Sequence, residues 1–302
     1  MLFLWLCLSA AAFAQSPAAE VQVATTVAFT EGPTVDRDGA VYFTEMTFPR
    51  ILKLAPDGKL SVFRQDSNGA NGLLFDSQWR LIACESGSRG RSEARVTRTD
   101  MVSGRIEVLA GDWQGQKFTG PNDVTLDKQG RLYFTDLPGG AVYRIDAPGK
   151  ISRILARPDI QRPNGISISP GDHTLYLIEA NQAQGGERLI RAYDLQPDGT
   201  VRNMRVHYNF YPGRSADGMT IDVEGNLYAA AGLNRSRGTS ETLDTKCGVH
   251  IISPQGKLID FIPIPEDTIT NCAFGGPDMK TLYITAGKTL FKVRTKVAGT
   301  RR

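Results

Sequence analysis

Six oxygen-bearing side chains recur at one position of a repeated motif: Glu31, Asn71, Asn122, Asn164, Asp217 and Asn271. They open the segments EGPTVDRDG, NGLLFDSQW, PNDVTLDKQG, PNGISISPGD, ADGMTIDVEG and TNCAFGGPDM, each at the entrance to a short strand. None is His or Cys, so an ion held among them would meet hard oxygen donors, the chemistry of Ca²⁺ or Mg²⁺ more than of soft metals. Glu31 and Asp217 together would balance the charge of one such ion. Asn and Asp also cap turns through local hydrogen bonds, and that reading stays open for Asn71 and Asn271. Glu is a poor turn residue, which sets Glu31 apart. The three histidines, His173, His207 and His250, are far apart in sequence and none adjoins an anchor, which argues against a His-rich zinc site. There is no G-x-S-x-G motif for a serine nucleophile.

What must position these anchors is a repeat. Successive anchors lie 40, 51, 42, 53 and 54 residues apart, and strand-turn-strand units of that period are propeller blades. In each unit a strand such as DVTLD meets an Asp/Gly turn, and a second strand rich in Tyr, Phe and Thr returns, as in RLYFTD. A third strand (AVYRIDA, GVHIISP) and a fourth (LSVFRQ, LIDFIPI) complete the blade. Only about three strands fit after Asn271, while the alternating segment Val21–Val27 before the first anchor is unused. The expectation is an all-β, six-bladed propeller with four-stranded blades, one domain over residues 15–302, its ring closed by the N-terminal strand.

Strand direction places further residues near the mouth of the channel. If first strands start there, second strands end there, which makes Glu85 and Asp136 candidate mouth contacts. The loops that follow include two basic ones, with Arg89, Arg91, Arg95 and Arg98 in one and Arg235, Arg237 and Lys246 in the other. Arg98 is the third candidate contact. A solvated charged loop is the plainer account of any one of these arginines.

Composition limits the alternatives. With 302 residues, 41% hydrophobic and 22% charged, the chain can bury a large core and is not a disordered one. A net charge of +3 over that length argues against a nucleic-acid partner. The apolar run Leu2–Ala14 ends in Ala12-Phe13-Ala14, a small-x-small cleavage pattern, and is too short to span a bilayer. Residues 1–14 therefore read as a signal peptide, with export to a periplasmic or extracellular location and no membrane association after cleavage. Cleavage leaves Cys84, Cys247 and Cys272. Either Cys247 and Cys272 pair or all three are buried thiols, with the second reading slightly favoured because a domain of this size needs no crosslink.

These segments, taken together from residue 31 to about 292, resemble the gluconolactonase/senescence-marker-protein (regucalcin) family. Diisopropyl fluorophosphatase is a more distant relative of that family. The resemblance implies a six-bladed propeller with one catalytic divalent cation in its channel, Ca²⁺ foremost and Mg²⁺, Mn²⁺ or Zn²⁺ as other ions. Carried over by motif, Glu31, Asn164 and Asp217 are the metal ligands, and Asn122 is a further ligand or a substrate contact. The implied activity is hydrolysis of a sugar lactone by metal-activated water, with Asp217 as candidate base and a small lactone or ester as partner. Two departures bear on substrate identity: YLIEANQAQGGE in place of an aspartate-containing strand end, and Leu137 after the FTD of the third repeat. The alternatives are a metal-dependent esterase or phosphotriesterase of the same fold, and a non-catalytic exported metal-binding propeller. Protein partners are not indicated.

Overall fold

The computed structural model describes residues 20–87 and 93–301. They form strands and turns with no helix, and so no helix long and apolar enough to cross a membrane. The leader at residues 1–14 lies outside the described residues, as do Arg89 and Arg91.

After β1 (Gln22–Thr26), the first blade comprises β2 (Thr30–Val35), β3 (Val41–Glu45), β4 (Arg50–Leu54) and β5 (Leu60–Arg64). The second comprises β6 (Ala70–Phe75), β7 (Leu81–Glu85), β8 (Arg95–Thr99) and β9 (Ile106–Ala110). A small hairpin, β10 (Asp112–Trp113) and β11 (Gln116–Lys117), precedes the third blade, an insertion that the repeat did not announce. That blade holds β12 (Pro121–Leu126), β13 (Leu132–Asp136), β14 (Ala141–Ala147) and β15 (Lys150–Ala156). The fourth holds β16 (Pro163–Ile168), β17 (Thr174–Ala180), β18 (Arg188–Leu195) and β19 (Val201–Asn209). The fifth holds β20 (Ala216–Ile221), β21 (Leu227–Ala231), β22 (Gly248–Ile252) and β23 (Leu258–Pro263). In the sixth, β24 (Ile269–Gly275), β25 (Thr281–Ala286) and β26 (Thr289–Arg294) are joined by β1, which pairs antiparallel with β26 from Gln22↔Lys292 to Thr26↔Thr289. The expected closure of the ring by the N-terminal strand is therefore present, and it covers an edge that β26 would otherwise expose.

The turns between first and second strands repeat one device. In four blades an Asp (Asp36, Asp76, Asp127 and Asp222) accepts backbone N–H bonds from residues two and four ahead at 2.8–3.0 Å. In the fourth blade the Ser169 hydroxyl takes the N–H groups of His173 and Thr174 instead. Such side-chain acceptors satisfy the turn's backbone without a partner strand.

Strand alternation explains the core. Val41 and Phe43 pack toward the sixth blade, while Tyr42, between them in sequence, packs toward the second. Six apolar clusters result, one at each junction between neighbouring blades. Both faces of every blade are thus buried against a neighbour, the arrangement of stacked sheets. The six first strands contact one another in ring order and line the channel. Closure is reinforced where the Thr270 hydroxyl donates to the Thr30 carbonyl at 3.0 Å. Cys84, Cys247 and Cys272 are buried free thiols.

Candidate functional site at the channel mouth

Each anchor owes its direction to a break in strand pairing. In all six blades the register between first and second strands shifts around the anchor, as between Glu31 and Thr34 or between Pro163 and Ile166. Such a bulge frees residues from the ladder and re-aims their side chains. The residue after the anchor must then be small where neighbouring strands converge. A Cβ on Gly32 would lie 2.0 Å from the Asn71 carbonyl oxygen, and one on Gly218 would lie 2.0 Å from Asn271 Cγ. The third blade has Asp123 at this place, so an extra carboxylate enters the channel.

Glu31, Asn122, Asn164 and Asp217 converge on one pocket of about 230 Å³ at this end of the channel. Asn71 and Asn271 do not line it. Asn271 also differs from the simple strand cap its position suggested. Its Nδ2 donates to both Asp123 oxygens at 3.0 Å, and its Oδ1 accepts the Cys272 N–H at 2.8 Å.

The donor atoms at the pocket are oriented by their neighbours. Asn164 Nδ2 donates to Asp217 Oδ1 at 2.7 Å, which leaves Asn164 Oδ1 buried with no hydrogen-bond partner. Arg214, 6% exposed at its side chain, donates to Asp217 Oδ2 at 2.6 Å and to the Ile269 carbonyl at 2.9 Å. Glu31 Oε2 accepts the Gly32 N–H at 3.1 Å, and Oε1 has no partner among the described residues. Burial, then the charges of Asp217 and Asp123, hold the Glu31 carboxyl well above the usual range. Burial also raises Asp217, against the pull of Arg214 and Asn164. Buried carboxylates that repel one another, beside an unpartnered carboxamide oxygen, fit a hard divalent cation. Among the described residues no three His, Cys, Asp or Glu side chains group as a metal cluster; the anchor oxygens at this pocket belong to the carboxylates of Glu31 and Asp217 and the carboxamides of Asn122 and Asn164.

Three expected mouth contacts are not where the sequence put them. Glu85 is fully buried, and its oxygens are consumed by Arg64, Asn68, Arg95 and Thr97. Asp136 is 2% exposed and accepts the N–H groups of Thr119, Gly120 and Gly139. Arg98 lies within β8, opposite Ile82, and pairs with Glu107 at 2.7 Å. The physical reason is common to the two acids. A carboxylate at the end of a second strand is covered by the segments around it and satisfies their polar groups, side chains at Glu85 and backbone N–H groups at Asp136. Glu179 does the same for Gln161 and Arg162, just ahead of Asn164. These acids position the segments that lead into the anchors rather than facing the channel.

The site also contains residues that the sequence reading passed over. Arg162, Gln182, Arg214 and Glu241 line the pocket. Gln182 and Glu241 belong to loops tied together by Arg188, which is 1% exposed and donates to the carbonyls of Asn181, Pro212 and Ser240. Of the two basic loops, the one with Arg237 does approach Asp217, whose carboxyl it helps to lower.

A second cavity of about 410 Å³ occupies the other end of the channel, with Asp123 and Asn271 at its inner limit. Burial, then the charge of Asp217, raises the Asp123 carboxyl from 3.8 to about 7, while Asn271 opposes the shift. Folded protein therefore holds this proton where unfolded chain has lost it. Fewer protons on the unfolded state make stability fall as pH rises from about 4 to about 7. In cation-free protein, thermal melts should show that decline, and Asp123→Asn should flatten it. An unchanged slope in the variant contradicts the assignment.

Comparison with known proteins agrees with this fold. Residues 29–288 match the family described as the SMP-30/Gluconolactonase/LRE-like region. A gluconolactonase from Zymomonas mobilis is 28% identical, over 92% of this chain and 81% of its own. A regucalcin from Xenopus laevis is 33% identical, over 88% of this chain and 86% of its own. Among solved structures, a gluconolactonase from Xanthomonas campestris superposes with a TM-score of 0.76 at 26% identity, covering 91% of this chain and 89% of that one.

Proposed function

Because the chain belongs to the SMP-30/gluconolactonase/LRE-like family, we propose that it hydrolyses a sugar lactone with the help of one divalent cation, Ca²⁺ foremost, held by Glu31, Asn164 and Asp217. The observation that carries the cation is Asn164 Oδ1, a buried oxygen with no partner in a pocket shared with two carboxylates. The gluconolactonase relatives support the substrate class. When bound, such a cation supplies Lewis acidity toward a carbonyl oxygen and lowers the pKa of water.

The chain's own residues supply the rest. Asp217, the carboxylate that Asn164 and Arg214 hold at the pocket, accepts the proton of the attacking water as general base. Arg214 holds that carboxylate in place through the 2.6 Å contact. Asn122 lines the pocket without a side-chain partner among the described residues, and orients the substrate by a hydrogen bond. Leu137 and Ala180 bound the pocket with apolar surface and limit the water that reaches it. A panel of aldonolactones, aryl esters and phosphotriesters, assayed in calcium-containing buffer, tests the reading. The lactones should be turned over fastest. A clear preference for aryl esters or phosphotriesters shifts the assignment to those substrates, and no turnover of any removes it.

Export is part of the same proposal. The Ala12-Phe13-Ala14 pattern predicts a mature chain starting at Gln15 outside the cytoplasm. Intact mass of the protein recovered from the exported fraction checks this, and a cytosolic chain retaining Met1 contradicts it.

A further inference from the structure

We propose that the lactone this site takes carries its own negative charge, on a carboxylate or similar oxyanion remote from the reacting carbonyl, and that Arg162 recognises it. The inference rests on the lactonase reading for where the carbonyl sits, and extends it to the substrate's charge.

Arg162 stands two residues ahead of Asn164, and its backbone is fixed. Its N–H donates to Glu179 Oε2 at 2.7 Å, and the N–H of Gln161 bonds the same carboxylate. The side chain lines the pocket that contains Glu31, Asn164 and Asp217, close enough to Asp217 to lower its carboxyl pKa. Arg162 is exposed to solvent, and its guanidinium has no ion pair or hydrogen bond among the described residues, so it is open to a ligand. Four other arginines around this end of the ring are engaged. Arg64 binds Glu85, Arg188 binds backbone carbonyls, and Arg214 binds Asp217. Arg237 donates to the Thr268 hydroxyl and lies 3.8 Å from Asp267. A guanidinium left free at a pocket wall, on an anchored backbone, can receive an oxyanion in a bidentate contact.

The charge balance points the same way. The pocket wall carries three carboxylates, Glu31, Asp217 and Glu241, and two guanidiniums, Arg162 and Arg214. A divalent cation turns that balance to one net positive charge. Glu241 is 5% exposed and accepts the Thr239 hydroxyl, so it is partly withdrawn from the pocket. A neutral lactone offers Arg162 only hydroxyl and carbonyl oxygens, whereas an anionic one adds a charge-assisted pair across the pocket.

The γ-lactones of gluconic and glucaric acid differ in whether the far carbon is a hydroxymethyl or a carboxylate, and so test the proposal. The anionic lactone should show kcat/KM higher by about tenfold or more, as expected for one hydrogen bond between charged groups. That ratio should fall toward one in Arg162→Gln, invert in Arg162→Glu, and shrink as salt is raised. A variant that folds poorly lowers both rates and leaves the ratio alone. Equal kcat/KM in the unaltered protein, or an unchanged ratio in Arg162→Gln, overturns the proposal. Calorimetry with gluconate and glucarate, in calcium-containing buffer, gives a readout without turnover. Glucarate should bind more tightly, and Arg162→Gln should erase the difference. If no lactone is opened but that difference holds, the lactonase reading fails while charge recognition stands. Lactone opening without any preference for charge gives the reverse.

Discussion

Asp217→Asn should lower lactone turnover by about 10²–10⁴-fold, the range for losing a general base, and saturating cation should not restore it. The side chain is asked to do three things at once. It would contribute a charge to the cation, accept a proton, and orient Asn164 by taking its Nδ2 at 2.7 Å. Substitution by Asn keeps the shape but removes the charge, and the new amide can turn a donor toward Arg214. That guanidinium, 6% exposed, then lacks its carboxylate partner. Steady-state kinetics on protein shown to be folded at the assay temperature measures the effect. Near-normal kcat in this variant removes Asp217 from the chemistry and points to Glu31, whose Oε1 has no protein partner among the described residues.

Glu31→Gln should behave differently. Calorimetric titration should show cation affinity reduced roughly a hundredfold or more, because one unit charge pair at about 4 Å is worth about 4 kcal/mol at an effective dielectric near 20. Most of the turnover should return once cation saturates the site. Relief of repulsion is a second consequence. Asp217 and Asp123 both raise the Glu31 carboxyl, so the neutral amide should stabilise cation-free protein near neutral pH. An unaltered cation affinity in Glu31→Gln, or turnover that stays lost at saturation, contradicts its role as a ligand.

The architecture was legible because a propeller writes itself six times. Anchor, Asp turn and aromatic second strand recur, and the spare strand at Val21–Val27 has only one blade left to complete. The same counting put all six anchors at equivalent places on first strands, and the family resemblance, not the counting, singled out Glu31, Asn122, Asn164 and Asp217. What repetition hides is departure from itself. Asp123 sits where four other blades have Gly, at positions 32, 72, 165 and 218, and that difference was the available signal for a third channel carboxylate. Asn271 shares the anchor position with Asn71, yet its amide crosses to Asp123 at 3.0 Å. Local sequence does not encode such a partner 148 residues away. Glu85 and Asp136 were misplaced for a related reason. Strand direction brings both acids to the correct end of the ring, but burial is decided by the loops that fold over them. Arg162 and Arg214 lie just outside the repeated strands, in segments that look like ordinary linkers. Their importance appears only when the ring closes around the channel.

The central claim is that lactone opening depends on a cation held by Glu31, Asn164 and Asp217. Proton release from gluconolactone, followed continuously in chelator-stripped protein before and after addition of Ca²⁺, tests it most directly. The account predicts a rate at the uncatalysed background that rises on addition and saturates with the cation occupancy measured by calorimetry. Full activity in the stripped protein, or no rise with bound Ca²⁺, Mg²⁺, Mn²⁺ or Zn²⁺, would contradict it.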